Sequence, residues 1–218
     1  MKVILKADDL AGYPGKEKIV PTRWQKFVDI VRKFNKKANI GIIGNSLIFD
    51  DKKYFDWIRK HSDIIEYFNH GFLHRQFNFD GETYQEFNST SKEYQINLLE
   101  YTNRLFKEKV GLEFITFGAP YNAVDTNTNL ALKEVGLKVG FFLEDGFEGI
   151  NIKKENRIEL EVPVHRVNLD AFKENFIQKD YIVIQTHPNS WDDKEFEEFE
   201  KFMKFLENYE FIFARELL

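Results

Sequence analysis

Short apolar runs alternate with longer amphipathic stretches along the chain, and this alternation predicts strand, helix, strand, helix. The apolar runs lie at 3–7, 39–44, 63–68, 114–118, 138–143, 158–164, 181–186 and 211–213, and most are rich in the Ile, Val and Phe that suit a pleated, buried surface. Helices are expected at 22–37, 52–60, 91–109, 128–135, 169–176 and 194–208. Asp125 or Thr126 stands where a cap for the fourth helix is needed, and Gly136 where that helix should stop. Residues 75–90 have little periodicity and read as an irregular excursion. Seven or eight such units with sequential parallel strands fit a barrel or an open doubly wound sheet. A full eight-fold barrel typically takes about 250 residues, so 218 favour a compressed barrel, one domain over 1–218.

Composition narrows the classes. Hydrophobic residues are 43% of the chain, with 23 Phe and 9 Tyr, enough apolar area to offset chain entropy and exclude a disordered protein. Thirty-one basic against 36 acidic residues leave a net charge of -5, which carries no electrostatic footprint for nucleic acid or an anionic bilayer. Cysteine is absent, so disulfides, thiolate metal sites and a Cys nucleophile are excluded, and any metal must sit on His, Asp or Glu. The apolar run in residues 1–9 is too short for a signal peptide, and no stretch of roughly 18 apolar residues occurs. A soluble, cytoplasmic protein without membrane insertion is expected.

In parallel α/β folds chemistry gathers at the carboxyl ends of the strands, and there the polar residues of this chain collect. Asp8 and Asp9 follow the first run, Asn69 and His70 the third, Pro120 and Tyr121 the fourth, Glu144 and Asp145 the fifth, His165 and Arg166 the sixth, and His187 the seventh. With His74, four of the five histidines fall at or near one rim. His70 and His74, four residues apart, can present two imidazoles to one ion if the chain between them makes about one helical turn. Two His and one carboxylate leave coordination open for water and substrate, a catalytic rather than a structural arrangement. The third ligand is expected from Asp8 or Asp9; adjacent strand residues point oppositely, so one can reach the metal while the other faces water. Lys6 has the parity of Asp8 and can help to keep it ionised. His187 ends an apolar strand at a proline, a place for an acid or base, and residues 118–122 form a turn in which Pro120 and Tyr121 offer substrate a ring surface and a backbone N–H.

Taken in order, Lys6-Ala7-Asp8-Asp9, His70-x-x-x-His74, Ala119-Pro120-Tyr121 and Ile184-Gln185-Thr186-His187 resemble successive motifs of the polysaccharide deacetylase superfamily, the NodB-homology, family 4-like carbohydrate esterases. The motifs run from residue 8 to 187, and the short form is similar to deacetylase-like proteins of surface polysaccharide or lipopolysaccharide O-antigen biosynthesis. The resemblance implies a distorted (β/α)7 barrel with a divalent metal, usually Zn2+, on Asp9, His70 and His74. It makes Asp8 the general base, His187 the general acid and the Tyr121 N–H an oxyanion donor, all cleaving the acetamide of an N-acetylated saccharide. The chain departs from the pattern at Gly118, where an Arg usually orients the base, and at Gly71, where Ser or Thr usually follows the first His. Arg166 is expected to supply the missing charge, Glu144 and Asp145 to stand for the acidic fourth motif, and Trp191 to stack on the sugar. Other readings are a carbohydrate-binding or scaffold protein that kept the barrel and lost turnover, a hydrolase of another amide, and, last, a phosphoesterase, for which the rim is short of cations.

Overall fold

A computed structural model describes residues 1–12 and 20–218. In chain order the elements are β1 Lys2–Leu10, α1 Thr22–Lys33, β2 Ala38–Ile42, α2 Lys52–His61, β3 Ile65–Asn69, β4 Gln76–Phe79, β5 Glu82–Gln85, α3 Lys92–Val110, β6 Thr116–Gly118, α4 Thr126–Val135, β7 Val139–Phe141, β8 Ile150–Ile152, α5 Leu169–Asn175, β9 Tyr181–Thr186, α6 Asp193–Phe205 and β10 Glu210–Phe211. Seven strands form one parallel, curled sheet in the order β9-β1-β2-β3-β6-β7-β8, with β10 pairing the first residues of β1. Between β8 and β9 the cylinder is crossed by a bridge from Arg157 to Val183, where the Ile158 N–H donates to the Val183 carbonyl at 3.0 Å. This is the distorted barrel that the resemblance implies, and it decides between the barrel and the open sheet that the alternation of elements left as choices. No described helix is long and apolar enough to cross a membrane.

The two faces of β1 explain how such a barrel holds polar groups inside. Val3, Leu5 and Ala7 point outward into the large core beneath the helices. Ile4 points inward to Phe68, Phe141, Phe142 and Val183. Lys6 and Asp8 share the parity of Ile4, so the strand's period of two carries both into the interior, where they are buried. The outer core is aromatic: Phe27 of α1 stacks on Phe199 of α6 at 5.3 Å, and Trp191 lies 5.0 Å from Phe199. Burying each such ring contributes roughly 1.5–3 kcal/mol.

Helix ends follow local chemistry. Asp125 caps α4 in a reciprocal box with Thr128, and Gly136 ends it at φ +79°. α1 stops short of residue 37: Asn35 adopts φ +51° and the Lys36 N–H bonds back to the Val31 carbonyl at 3.0 Å, a left-handed stop without glycine. Two expectations need correction. Residues 76–85 form an antiparallel hairpin turning at Asp80 and Gly81, both at positive φ. Residues 158–164 do not form a strand; Pro163 has no N–H to give a ladder, and the segment closes a tight turn in which Val162 N–H bonds to the Arg166 carbonyl and Arg166 N–H to the Pro163 carbonyl, each at 2.9 Å.

Candidate active site

At the carboxyl end of β1 the pairing register with β2 shifts between Ala7 and Leu10, and Asp9 takes φ +74°. This bulge turns Asp9 onto the same rim as Asp8, so the adjacent carboxylates face one cleft instead of opposite sides of the sheet. His70 directly follows β3, and its Nδ1–H donates to the Gly118 carbonyl at 2.6 Å. That bond leaves Nε2 facing Asp9 Oδ1 at 3.2 Å, free to carry a proton or to bind an ion. His74 Nε2 lies 3.0 Å from the same oxygen. One ligand atom from each of Asp9, His70 and His74 lies within 4.8 Å of the others. Acceptors converging in this way need a cation or protons between them, and a divalent ion on two imidazoles and a carboxylate fits this donor set. Burial pushes the Asp9 carboxyl up, but the hydrogen bonds and charge of His70 and His74 outweigh it and hold it far below the usual range. Burial likewise lowers His74, and Asp9 more than restores it, leaving it raised.

The loop between the histidines is not a helical turn. Gly71 adopts φ +73°, and a Cβ there would stand 2.8 Å from Pro120 Cγ. Glu86, buried at the end of the hairpin, accepts from the Phe72 N–H at 2.8 Å and the Leu73 N–H at 2.6 Å. Its carboxylate braces a loop that has no hydroxyl at residue 71.

Beside this cluster Asp8 is gripped from within the barrel. Lys6 donates to both of its oxygens at 2.5 Å, and Gln185 Nε2 donates to Oδ2 at 2.5 Å. The Lys6 ammonium also lies 5.3 Å from the ring centres of Phe68 and Phe141. Burial pushes Asp8 up, yet Lys6, His70 and His187 together hold it below its ordinary value. His187 Nε2 stands 3.9 Å from Asp8 Oδ2. Glu161 holds the other side of that ring: its Oε2 accepts from His187 Nδ1 at 2.7 Å, while Oε1 accepts from the His187 N–H at 2.7 Å and Trp191 Nε1 at 2.8 Å. Burial would lower the His187 imidazolium, but Glu161 and Asp8 outweigh it and raise its pKa. Tyr121, at φ +59°, lies beside the Asp9–His70–His74 cluster with its ring 4.5 Å from that of His74 and its hydroxyl donating to the His74 carbonyl at 3.2 Å.

Asp8, Asp9, His70, His74, Tyr121, Gln185 and His187 line a cleft of about 420 Å³ that also takes in Asn122, Arg157, Val164 and His165. Five expected residues are placed otherwise. Arg166 turns away to Glu195 at 2.9 Å and Asp192 at 3.6 Å, so the cation on Asp8 is Lys6, two residues upstream on the same strand. Trp191 is fully buried among Phe27, Phe196 and Phe199 and faces no sugar; its indole N–H serves Glu161. Pro120 is buried against Gly71. Glu144 and Asp145 are exposed, Asp145 paired with Lys153, and the further acidic group beside the cleft is Glu161, buried behind the His187 ring. Glu161 and Glu86 were hidden because one lies in a segment that reads as strand and the other in one without periodicity.

Neither a family model nor a curated protein sequence matches the chain. Solved structures do. A family 4 acetyl xylan esterase from Clostridium thermocellum in complex with a cobalt ion superposes with TM-score 0.66 at 15% identity, over 100% of this chain and 90% of that one. A peptidoglycan deacetylase from Bacillus subtilis gives 0.65 at 12%, over 99% and 88%. A family 4 carbohydrate esterase pseudoenzyme from Bacillus anthracis gives 0.68 at 13%, over 96% of this chain; the chain spans 62% of the length of that protein. The fold of this chain is that of the family 4 carbohydrate esterases.

Proposed function

We propose that the chain is a metal-dependent N-deacetylase that hydrolyses the acetamide of an N-acetylated sugar in a surface glycan or its precursor. The observation that carries this reading is the meeting, in one cleft, of the Asp9–His70–His74 cluster with the Asp8 and His187 pair. Asp9, His70 and His74 would hold the cation, Zn2+ or another divalent metal, and the chemistry it supplies there is Lewis-acid: water made more acidic and an amide carbonyl polarised. Asp8, kept ionised by Lys6, takes a proton from the attacking water. The Tyr121 backbone N–H is the candidate donor to the oxyanion that develops on the carbonyl oxygen. His187, kept protonated by Glu161, gives its proton to the amine as the C–N bond breaks. The amide and one water thus become acetate and a free amino sugar. Arg157, on the cleft wall, is a candidate contact to the saccharide.

Similarity to the B. anthracis pseudoenzyme and the Gly118 departure favour the alternative of a barrel that binds saccharide without turnover. Lys6 weighs against it, because the cation the base needs is present from another position. The test is metal analysis of the purified protein beside acetate release from a panel of N-acetylated saccharides. Acetate release that Asp8→Asn abolishes at unchanged metal content supports the enzyme; no release by the metal-loaded wild type from any saccharide favours the binding protein.

A further inference from the structure

A second set of donors lies on the opposite side of the His187 ring. One carboxylate oxygen of Glu161, one ring nitrogen of His165 and one of His187 lie within 4.8 Å of one another. The 161–167 turn is built to hold His165 there. Its backbone N–H donates to Glu161 Oε2 at 3.1 Å, its φ is +69°, a conformation that costs a non-glycine residue about 1–2 kcal/mol, and Glu161 pairs back with Val167. The His165 ring stands edge-on to that of His187 with centres 5.0 Å apart, and it makes no hydrogen bond among the described residues. A strained backbone thus holds a solvent-accessible imidazole with no partner of its own beside a carboxylate and a second imidazole.

We infer that Glu161, His165 and His187 form a second divalent-cation site, one that takes zinc, whose occupation switches off the acid. Two nitrogens and one oxygen, with open positions toward solvent, are the donors zinc prefers. The site is weaker than the Asp9 cluster, because Glu161 already accepts four hydrogen bonds and an ion must displace at least one of them. It fills only when zinc exceeds one equivalent. An imidazole that has given one nitrogen to an ion cannot take the second proton that makes it an acid, so His187 in this state does not protonate the leaving amine. Only this effect on turnover rests on the deacetylase reading; binding at the site does not.

The experiment titrates metal-free protein with Zn2+ and counts bound equivalents by calorimetry and elemental analysis, for wild type, Asp9→Ala and His165→Gln. Two equivalents are expected in wild type, the second at least tenfold weaker; His165→Gln loses the weaker and Asp9→Ala the tighter. Crystals soaked in excess Zn2+ should show an anomalous peak about 2 Å from ring nitrogens of His165 and His187. In the acetate assay, the zinc concentration for half-inhibition should rise at least tenfold in His165→Gln relative to wild type. One equivalent in wild type, or two retained in His165→Gln, overturns the proposal whatever the assay gives. If Asp9→Ala loses no equivalent, it is the deacetylase metal centre that fails instead. His165 is exposed, and circular dichroism checks that its variant folds.

Discussion

Lys6 occupies the space into which a side chain on Gly118 would grow: a Cβ built on that glycine would stand 3.3 Å from Lys6 Cε and 2.9 Å from Phe68 Cε2. A lysine reaching along β1 and an arginine reaching from the end of β6 are therefore mutually exclusive ways of bringing positive charge to Asp8.

Replacing that lysine tests its role. Lys6→Met leaves a buried carboxylate without its cation, which should cost about 3–5 kcal/mol of stability at neutral pH by urea unfolding. Acetate release should fall on the order of 10²-fold in kcat with KM little changed. Without Lys6, burial pushes Asp8 up, so the acid limb of the pH–rate profile should move to higher pH. An unchanged kcat and an unmoved acid limb in Lys6→Met would mean that the lysine only fills space.

Glu161→Gln removes the strongest of the groups that raise His187 and leaves Asp8 and Asp9 to oppose burial. The imidazolium pKa then falls relative to wild type, so the proton needed for the leaving amine is lost at lower pH. The alkaline limb of the profile should shift toward acid while the acid limb, set by Asp8, stays in place. An unmoved alkaline limb would separate His187 from the acid step.

Glu86→Gln keeps the size of the brace and removes its charge from the Phe72 and Leu73 amides. Supporting groups of this kind typically change metal affinity 10- to 100-fold, and a loss of about that size is expected by chelator competition, with no direct ligand altered. Gly71→Ala should do at least as much, because it forces a side chain into φ +73° against Pro120.

Trp191→Phe retains a ring in the core and deletes the N–H that Glu161 accepts at 2.8 Å. KM for the saccharide should be unchanged, since the indole faces Phe27 and Phe199, and any kinetic effect should fall on kcat and the alkaline limb. A raised KM alone would return Trp191 to the sugar site.

Much of this site was legible because strand ends concentrate function. The apolar runs ending in Asp8, His70 and His187 named their rim before any coordinates. What stayed hidden depends on local breaks in regular structure. The Asp9 bulge is a single positive φ in an otherwise apolar strand, and nothing in Ala7-Asp8-Asp9-Leu10 announces it. Asp80-Gly81 is a hairpin signal, yet both flanking strands are largely exposed and lack the alternation that marks a half-buried strand. Glu161 sits in an Ile-Glu-Leu-Glu-Val run whose alternation suits a strand; only Pro163 hints that the chain turns back and presents the carboxylate to His187. Arg166 was expected at the base on the strength of that absent strand.

Because ammonium and carboxylate are only two residues apart on β1, their separation is fixed within one stretch of backbone. Slippage of β1 against β6 would stretch a contact made between those strands, but it carries Lys6 and Asp8 along together. Any opening of the seam between β8 and β9, crossed by the bridge from Arg157 to Val183, would therefore leave the charge pair on β1 intact.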